Sequence, residues 1–223
     1  MSSDLKTLSA KDSSPATENA TGILFVVSSP SGGGKGTLIR RVLQAMPDLC
    51  YSVSYTTRAP RAGEVNGREY FFVTREEFQS MHEAGEFLES ATVHNNYYGT
   101  SRKQVLDETC GGRDIVLEVD VQGAESVRKL ILDSVSIFIL PPSFEVLRKR
   151  LIARGTDSPE VLELRLRNAP QELKAYSSFD YVIINDDVER AAAQLAAIVV
   201  AERAKLRRQE RLVRAVIRDF EGL

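Results

Sequence analysis

The chain has 223 residues, of which 43% are hydrophobic and 27% charged, and its formal net charge at pH 7 is −2. These values are ordinary for a globular protein with one sizeable core and room for a small inserted lobe. The near-neutral charge excludes a general attraction to nucleic acid or membranes, so any anion-binding site must be local.

The cysteine content and the N-terminal composition narrow the class of protein further. Cys50 and Cys110 are the only cysteines, which fits a reducing compartment and no disulfide framework. With two histidines and no paired-cysteine motif, no zinc site is predicted. Residues 1–20 are polar and contain no targeting signal, and no apolar run could span a bilayer. We therefore expect a disordered N-terminal tail and a cytoplasmic protein.

The first predicted unit is a strand, a glycine-rich loop and a helix. Residues 23–27 form an apolar run typical of a buried strand, and residues 38–43 have helical spacing of apolar positions. The segment between them, residues 28–37, reads Ser-Ser-Pro-Ser-Gly-Gly-Gly-Lys-Gly-Thr. Glycines let successive backbone N–H groups converge on one anion at a helix N-terminus, and Lys35 can reach outer phosphates. This segment is therefore predicted to be a phosphate-binding loop.

Two positions of the phosphate-binding loop depart from the usual pattern. Ser29 stands at the first glycine position, where a positive φ would favour glycine. Gly36 stands where a hydroxyl usually faces Mg²⁺, and Thr37 follows it. We therefore expect phosphates and water to hold most of the Mg²⁺ coordination, with Thr37 or Asp120 as the alternatives for a direct ligand. A glycine-rich turn without a ligand is the structural alternative.

Periodicity and turn signals predict the remaining elements. Pro47 should end the first helix near Met46, Thr74 to Glu77 form a capping box, and Asn66–Gly67 predicts a hairpin. Strands are predicted over residues 51–57, 69–73, 86–93, 97–99, 115–120, 135–140 and 181–184. Helices are predicted over about 75–84, 101–109, 122–130, 144–153, from 159 onward, and from 188 almost to the end.

Strands that alternate with helices predict an α/β fold with a parallel central sheet covered on both faces. We expect a core of residues 21–51 and 100–204, interrupted by a strand-rich insert at 52–99. Two helices joined near Gly155, within about 144–175, form a candidate lid, and residues 205–223 are a helical extension.

Several segments resemble guanylate kinases in order and spacing. They are SVSYTTRAPRAGEVNGREYFFV, GEFLE, YYGT, LEVDVQG, PPS, RGTDS and INDD, and the resemblance covers about Gly22 to Lys205. It implies a three-layer P-loop kinase fold with a GMP-binding insert and a helical lid. It also implies transfer of the γ-phosphoryl group of ATP to GMP with Mg²⁺, giving ADP and GDP.

The resemblance assigns residues to the ATP side of the site. The implied ATP-binding residues are Ser29, Pro30, Ser31, Gly32, Gly33, Gly34, Lys35, Gly36, Thr37 and Asn185, the last at the adenine. The implied catalytic residues are Lys35, Arg58, Arg150, Arg154 and Arg165, of which the last three resemble lid arginines. Without the neighbouring motifs, Arg150 would belong to a solvated helix face.

The acceptor side is assigned in the same way, and its chemistry suits a guanine nucleotide. The implied GMP-binding residues are Ser54, Arg58, Arg61, Tyr70, Glu89, Tyr98, Gly99, Thr100 and Asp120. Fork-shaped arginines and phenols suit a phosphate, although two loop arginines alone would suggest a solvated turn. A carboxylate accepts the guanine N1–H and N2–H₂ donors, and a hydroxyl can donate to O6. Both GMP and dGMP fit this assignment.

Two acids end the predicted strand at 115–120. Asp120 belongs to the guanine side in the resemblance, and a water-mediated role at Mg²⁺ is the alternative. Glu118 shares a face of the strand with Asp120 and could equally be a buried structural acid.

The basic C-terminal stretch, residues 203–218, is predicted to be an amphipathic helix. It should fold back on the chain or pair with another subunit, and a nucleic-acid or membrane role is the minor alternative. For the whole chain, the rivals of an active kinase are an inactive guanylate-kinase-like interaction module and a kinase for another nucleotide.

Overall fold

The computed structural model describes residues 21–93, 95–155 and 158–222; at Arg154 it describes the backbone alone. The predicted tail at 1–20, His94 of the predicted turn, and Thr156 and Asp157 of the lid junction lie outside the described residues. In the described part, no helix is long and apolar enough to span a membrane.

Nine strands and eight α-helices make up the described chain. The strands are β1 (Leu24–Ser28), β2 (Cys50–Ser52), β3 (Tyr55–Thr56), β4 (Phe71–Phe72), β5 (Phe87–Val93), β6 (Asn96–Ser101), β7 (Ile115–Glu118), β8 (Val135–Leu140) and β9 (Tyr181–Ile184). The helices are α1 (Lys35–Ala45), α2 (Arg75–Glu83), α3 (Arg102–Cys110), α4 (Val121–Leu130), α5 (Phe144–Arg154), α6 (Pro159–Leu173), α7 (Val188–Arg203) and α8 (Leu206–Glu221). A 3₁₀ helix, Lys174–Ser178, follows α6.

The central sheet is parallel and has the order β2-β7-β1-β8-β9. β1 lies in the middle and is buried along its whole length, because its residues alternate between two cores. Phe25 and Val27 join the core that contains α1 and α7, while Leu24 and Val26 join the core that contains α3 and α4. This arrangement confirms the predicted α/β fold class with a parallel central sheet.

A second sheet of order β4-β3-β6-β5 stands beside the first. The predicted hairpin at Asn66–Gly67 is wrong, because β3 and β4 pair in parallel. Gly67 does turn the chain, with a φ of +82°, but the strands that the turn separates run in the same direction. The hairpin signal is local, and the antiparallel neighbour of β3 in this sheet is β6 rather than β4. The loop from 57 to 70 therefore returns from the end of β3 to the start of β4.

Two predicted continuous elements are divided in the structure. The alternating run 51–57 contributes β2 to the central sheet and β3 to the second sheet. The helix expected from 188 onward is two helices, with a break at Ala204 and Lys205 between α7 and α8. Most other predicted elements are present within a residue or two, including the capping box at Thr74 and Glu77.

Candidate active site

The phosphate-binding loop lies where β1 ends and α1 begins. Gly32 and Gly34 have φ values of +86° and +92°, a region in which other residues are strained. Gly34 provides no side-chain cap for α1, and the first turn of the helix carries no acidic residue. The positive end of the helix dipole is therefore left without a capping side chain or an acid of its own first turn, which suits an anion.

Ser29 fits this loop without backbone strain. Outside glycine, the only described residue with a positive φ is Asn95, so the turn does not need glycine at position 29. The loop requires glycine at position 33 instead, because a Cβ there would lie 2.8 Å from the Cβ of Ser29. Ser29 Oγ donates to the carbonyl of Pro30 at 2.9 Å.

Asn185 and two arginines hold the phosphate-binding loop from the opposite side. The buried Asn185 donates from Nδ2 to the carbonyl of Gly33 at 2.9 Å, and Arg150 Nη2 donates to the Asn185 carbonyl at 2.8 Å. Arg165 Nη1 donates to Ser31 Oγ at 3.2 Å. A Cβ at position 34 would lie 2.3 Å from Asn185 Nδ2, so this close contact depends on glycine. The structure thus brings Asn185, Arg150 and Arg165 to the loop.

The two candidate lid helices also contact the loop directly. α5 and α6 pack together through Leu147, Leu151 and Ala169, and Leu147 and Leu151 lie against Gly32. The N–H of Ser31 donates to Glu172 Oε2 at 3.0 Å. A carboxylate of α6 thus binds one amide of the loop.

Glu118 connects Lys35 with the tyrosines of the acceptor side. Lys35 Nζ lies 3.8 Å from Glu118 Oε1, and Tyr51 donates its phenol to Glu118 Oε2 at 3.4 Å. A Cβ at Gly36 would lie 3.2 Å from the same Oε2, so the missing side chain leaves space for this acid. Burial and the charge of Glu118 raise the pKa of Tyr51, which keeps its phenol protonated. Of its two interpretations, Glu118 fits best as an acid that faces the loop.

Arg58 is held in a cage of one acid and two aromatic rings. Its Nη2 lies 2.9 Å from both oxygens of Glu64, and the two side chains are only 13% and 17% exposed. Its guanidinium carbon lies 5.4 Å from the ring centre of Tyr70 and 5.7 Å from that of Phe72. Glu64 Oε2 also accepts the backbone N–H of Arg61 at 2.7 Å. Glu64 therefore orients both predicted phosphate-binding arginines, one through its guanidinium and one through its backbone.

Tyr70 and Tyr98 are adjacent, with ring centres 5.9 Å apart in an edge-to-face arrangement. Burial and the charge of Glu118 raise the pKa of Tyr70, so that it remains a neutral hydrogen-bond donor. Since Tyr70 also contacts Arg58, it lies between the acceptor loop and the acid beside Lys35.

Glu89 is a buried acid on β5 and faces Thr100 of β6. The Thr100 hydroxyl donates to Glu89 Oε1 at 2.5 Å. Burial raises the pKa of Glu89 to about 7; the charge of Asp120 acts in the same direction, and the Thr100 hydrogen bond opposes it. A Cβ at Gly123 would lie 2.8 Å from Glu89 Oε2, so glycine in the first turn of α4 makes room for the acid.

The other predicted acceptor residues surround this pair or support it. Asp120 caps α4, because its Oδ1 accepts the N–H of Gly123 at 2.8 Å. Ser54 is buried just before β3. Gly99 packs under Phe87, whose ring would lie 2.8 Å from a Cβ at position 99. This contact gives Gly99 a packing role in addition to the predicted ligand role.

The structure does not bring the remaining predicted residue Thr37 into these contacts, and it leaves Arg154 untested. Thr37 is exposed in the first turn of α1. The side chain of Arg154 lies outside the described part of the chain. Among the described residues, no group of three or more His, Cys, Asp or Glu could hold a metal ion.

Sequence reasoning missed three contacts of the site. Glu64 is the acid nearest in sequence to Arg58 and Arg61 in the same loop. This closeness could have predicted its contacts with the two arginines. The pairing of Tyr51 with Glu118 and of Glu172 with Ser31 joins residues 67 and 141 positions apart. No local pattern indicates such distant partners.

The chain is similar to known proteins in both sequence and structure. A family model described as guanylate kinase matches residues 22–202. A guanylate kinase of Symbiobacterium thermophilum is 50% identical over 184 residues, 82% of this chain and 87% of the relative. One of Thiobacillus denitrificans is 48% identical over 202 residues, 91% of this chain and 97% of the relative. The crystal structure of guanylate kinase from Anaplasma phagocytophilum aligns with a TM-score of 0.71 and 37% identity, covering 83% of this chain and 88% of that chain.

Proposed function

Because the chain belongs to the guanylate kinase family, we propose that it transfers the γ-phosphoryl group of ATP to GMP, giving ADP and GDP. The observation that carries the choice of acceptor is the buried Glu89 with Thr100 at 2.5 Å. An acid in this environment is costly to bury, and a guanine edge with two donors would give its carboxylate the partners that it lacks. We include dGMP, because it has the same base and phosphate.

On the donor side, the phosphate-binding loop would cradle the phosphates of ATP through its amides and the N-terminus of α1. Lys35 would leave Glu118, from which it is separated by 3.8 Å, and neutralise charge on the transferred group. Arg150 and Arg165 already lie at the loop, and we propose that they, with Arg154, complete this cation cluster when the lid closes. Asn185 would contact the adenine.

On the acceptor side, Arg58 and Arg61 would bind the GMP phosphate with help from Tyr70 and Tyr98. Glu64 acts as a positioning residue in this proposal, because it holds the Arg58 guanidinium and the Arg61 N–H in place. Holding cations in a fixed orientation reduces the reorganisation needed during transfer.

Mg²⁺ fits this site as an ion held mainly by nucleotide phosphates and water. The residue beside Lys35 is Gly36, which has no hydroxyl and whose space faces Glu118. Thr37 and Asp120 are the alternatives for a direct ligand, although Asp120 already caps α4. When bound, Mg²⁺ supplies charge neutralisation for the phosphates of ATP.

The rival proposals fit the chain less well. An inactive interaction module could lose the glycines, Lys35 and the acceptor arginines, whereas this chain retains all of them. A kinase for another nucleotide would use the buried carboxylate of Glu89 less fully, because adenine and cytosine offer it one exocyclic amino group, whereas guanine offers both N1–H and N2–H₂. The free thiols of Cys50 and Cys110 support a reducing compartment, and the cytoplasm is the location that we propose. Neither nucleic acid nor a membrane is among the proposed partners.

The decisive experiment measures ADP formation from ATP with GMP, dGMP, AMP, CMP and UMP offered separately. We expect turnover with GMP and dGMP and little with the other three. Activity with none of the five would overturn the proposal in favour of the interaction module.

Lys35→Ala tests the donor side separately. We expect it to abolish turnover and to leave GMP binding almost intact, because Lys35 acts on the transferred group. Lys129→Ala, which removes an exposed lysine of α4, is the matched control and should retain activity. Unchanged turnover in Lys35→Ala would contradict the assignment of the phosphate-binding loop.

A further inference from the structure

One face of α6 lies against the phosphate-binding loop and binds Ser31 at two points. Arg165, Ala169 and Glu172 are spaced i, i+4 and i+7, so they share this face. Arg165 Nη1 donates to Ser31 Oγ at 3.2 Å, and Glu172 Oε2 accepts the Ser31 N–H at 3.0 Å. Ala169, which lies between the two contacts, is buried. The N–H and the hydroxyl of Ser31 are therefore both held by α6.

Glu172 is an acid at the unfavourable end of its helix. It is the next-to-last residue of α6, where the helix dipole disfavours a negative charge. The last turn of α6 contains no basic residue that would offset this effect. The compensating interaction in the structure is the charge-assisted hydrogen bond from the Ser31 N–H. The contact with the phosphate-binding loop therefore accounts for an acid at this position.

The Ser31 N–H differs from the amides that the loop offers to a phosphate. The N–H groups of Lys35 and Gly36 lie in the first turn of α1, where a helix supplies no acceptor of its own. Elsewhere in the described part of the chain, they have no acceptor either. The Ser31 N–H is instead used by Glu172. The loop thus keeps the amides of α1 for an anion and uses that of Ser31 for its attachment to α6.

Pro170 separates the two contacts that α6 makes with Ser31. It lies inside the helix and has no N–H, so the hydrogen bond to the carbonyl of Leu166 is missing. Helices bend at such positions more readily than elsewhere. The part of α6 that carries Arg165 can therefore move at Pro170 without carrying Glu172 away from the loop.

We propose that Glu172 is a positioning residue of the donor site, which holds Ser31 in place while Arg165 leaves it to reach the phosphates of ATP. This inference rests on the proposed transfer from ATP to GMP. In the free protein both side chains hold Ser31, and in the closed state Glu172 alone would do so. A loop that is already held in its binding conformation loses less conformational freedom when ATP binds. Glu172 thus acts on ATP through Ser31 and contacts no nucleotide itself.

The first test measures binding of the Mg²⁺ complex of a non-hydrolysable ATP analogue by isothermal titration calorimetry. We expect Glu172→Ala to raise its Kd by at least about 10-fold, the scale of a hydrogen bond to a charged group. Glu172→Asp should have a similar effect, because it keeps the charge but is one CH₂ too short for the contact. Glu172→Gln keeps both the length and an acceptor oxygen, so its Kd should stay within about 3-fold of the unaltered value.

The controls separate this role from a general effect on folding. The Kd for GMP should be unchanged in all three variants, because Glu172 belongs to the donor side. Glu163→Ala is the matched control, since it removes an exposed acid of the same helix whose partner is Arg167 at 2.8 Å. It should leave the Kd for the ATP analogue unchanged. If Glu172→Ala fails to fold, Glu172→Asp carries the comparison.

The second test needs no nucleotide and measures exchange of backbone amide hydrogens in the free full chain by mass spectrometry. Glu172→Ala and Glu172→Asp should speed exchange in a peptide that covers residues 28–34, because the loop loses its attachment. Exchange in a peptide from α4 should remain unchanged. Glu172→Gln and Glu163→Ala should resemble the unaltered chain in both peptides.

Three results would overturn the proposal. One is an unchanged Kd for the ATP analogue in Glu172→Ala, even with a lower Tm, since the residue would then be merely structural. The second is tighter binding of the analogue in both Glu172→Ala and Glu172→Gln, which would make the carboxylate a competitor of the phosphates. The third is loop exchange that Glu172→Ala leaves unchanged.

Failure of the proposed function would look different. The unaltered chain would then neither bind the ATP analogue nor form ADP with GMP, and this inference would fail with it. If the unaltered chain does both, the Glu172 variants test the inference alone.

Discussion

The carboxyl group of Glu89 has a pKa of about 7 because it is buried beside Asp120. A protonated Glu89 would present a donor to guanine N1–H or N2–H₂, whereas the ionised form accepts from both. Binding of GMP should therefore depend on the ionised fraction, which rises between pH 6 and pH 8.

We predict that the KM for GMP falls by up to about 10-fold from pH 6 to pH 8, as Glu89 loses its proton. Steady-state kinetics at saturating ATP measures this change. The phosphate of GMP has a pKa of about 6, so it also titrates between pH 6 and pH 8. Glu89→Gln separates the two effects, because it keeps the phosphate contribution alone. A variant with the same pH profile as the unaltered chain would exclude Glu89 as the titrating group.

The raised pKa of Glu89 also makes the stability of the folded protein decrease as the pH rises. The folded-state pKa of Glu89 is raised from the ordinary 4.5, so its contribution to folding is most favourable below pH 4.5 and is lost as the pH rises through about 7. Burial of the ionised carboxylate thus costs stability at neutral pH. This cost is a reason to regard the acid as functional, since an apolar or amide side chain would not carry it.

At the scale of elements, the conformation of the phosphate-binding loop depends on the side chains at two positions, 29 and 33, rather than at one. Ser29 carries a side chain where glycine is usual, and Gly33 lacks one where the Cβ of Ser29 needs space. The two positions should therefore be coupled when they are changed together.

We predict that Gly33→Ala lowers kcat/KM for ATP by at least about 10-fold, because its Cβ would displace the loop by several tenths of an ångström. The double variant Ser29→Gly and Gly33→Ala should recover part of this loss, while Ser29→Gly alone should have a small effect. The measurement is a double-mutant cycle in kcat/KM. Strict additivity of the two changes would contradict the steric explanation.

The sequence predicts best those elements that consist of an unbroken run of apolar residues. The apolar runs 135–140 and 181–184 coincide with β8 and β9, because an unbroken apolar run marks a strand without reference to its partners. β8 is buried along most of its length, whereas Val182 and Ile184 of β9 are exposed. The predicted hairpin at Asn66–Gly67 is wrong because a turn signal reports only the local bend of the chain, whereas the direction in which β4 pairs with β3 is set by the whole loop between them. The run 51–57 shows alternation throughout, and nothing in that alternation marks the point at which the chain leaves one sheet for the other.

In the candidate site as well, the sequence does not indicate contacts between segments that are far apart in the chain. Lys35, Arg58 and Glu89 are predicted as site residues from motifs in the segments that contain them. Their prediction therefore needs no knowledge of distant contacts. Contacts such as that of Glu118 with Lys35 depend on two strands meeting at the same edge of the central sheet. The sequence left open whether Glu118 is a site residue or a structural acid, and it did not indicate Lys35 or Tyr51 as its partners.

For the whole molecule, ligand binding should appear as a gain in stability. GMP at about 100 times its Kd adds about 2.7 kcal/mol to the free energy of unfolding. For a chain of this size, such a gain corresponds to a rise in Tm of about 5 to 11 °C. We predict this rise with GMP and dGMP and a much smaller one with AMP at the same concentration, as measured by calorimetry.

Variants on the two sides of the site provide the controls for this measurement. Lys35→Ala should keep the GMP-induced rise in Tm, because Lys35 belongs to the donor side. Glu89→Gln should reduce it, since the guanine loses its carboxylate partner. Equal rises with GMP and AMP would contradict the proposed base selectivity.

The clustering of tyrosines around the acceptor pocket has an optical consequence. The chain contains no tryptophan and seven tyrosines, and five of these lie within residues 51–98. Tyr51 and Tyr70 are near Glu118, and Tyr70 and Tyr98 are adjacent at the predicted phosphate site. Intrinsic ultraviolet emission of this protein therefore originates mainly from the region that should close around the acceptor nucleotide. Tyrosine emission can therefore be used to follow binding of the acceptor nucleotide without an attached dye.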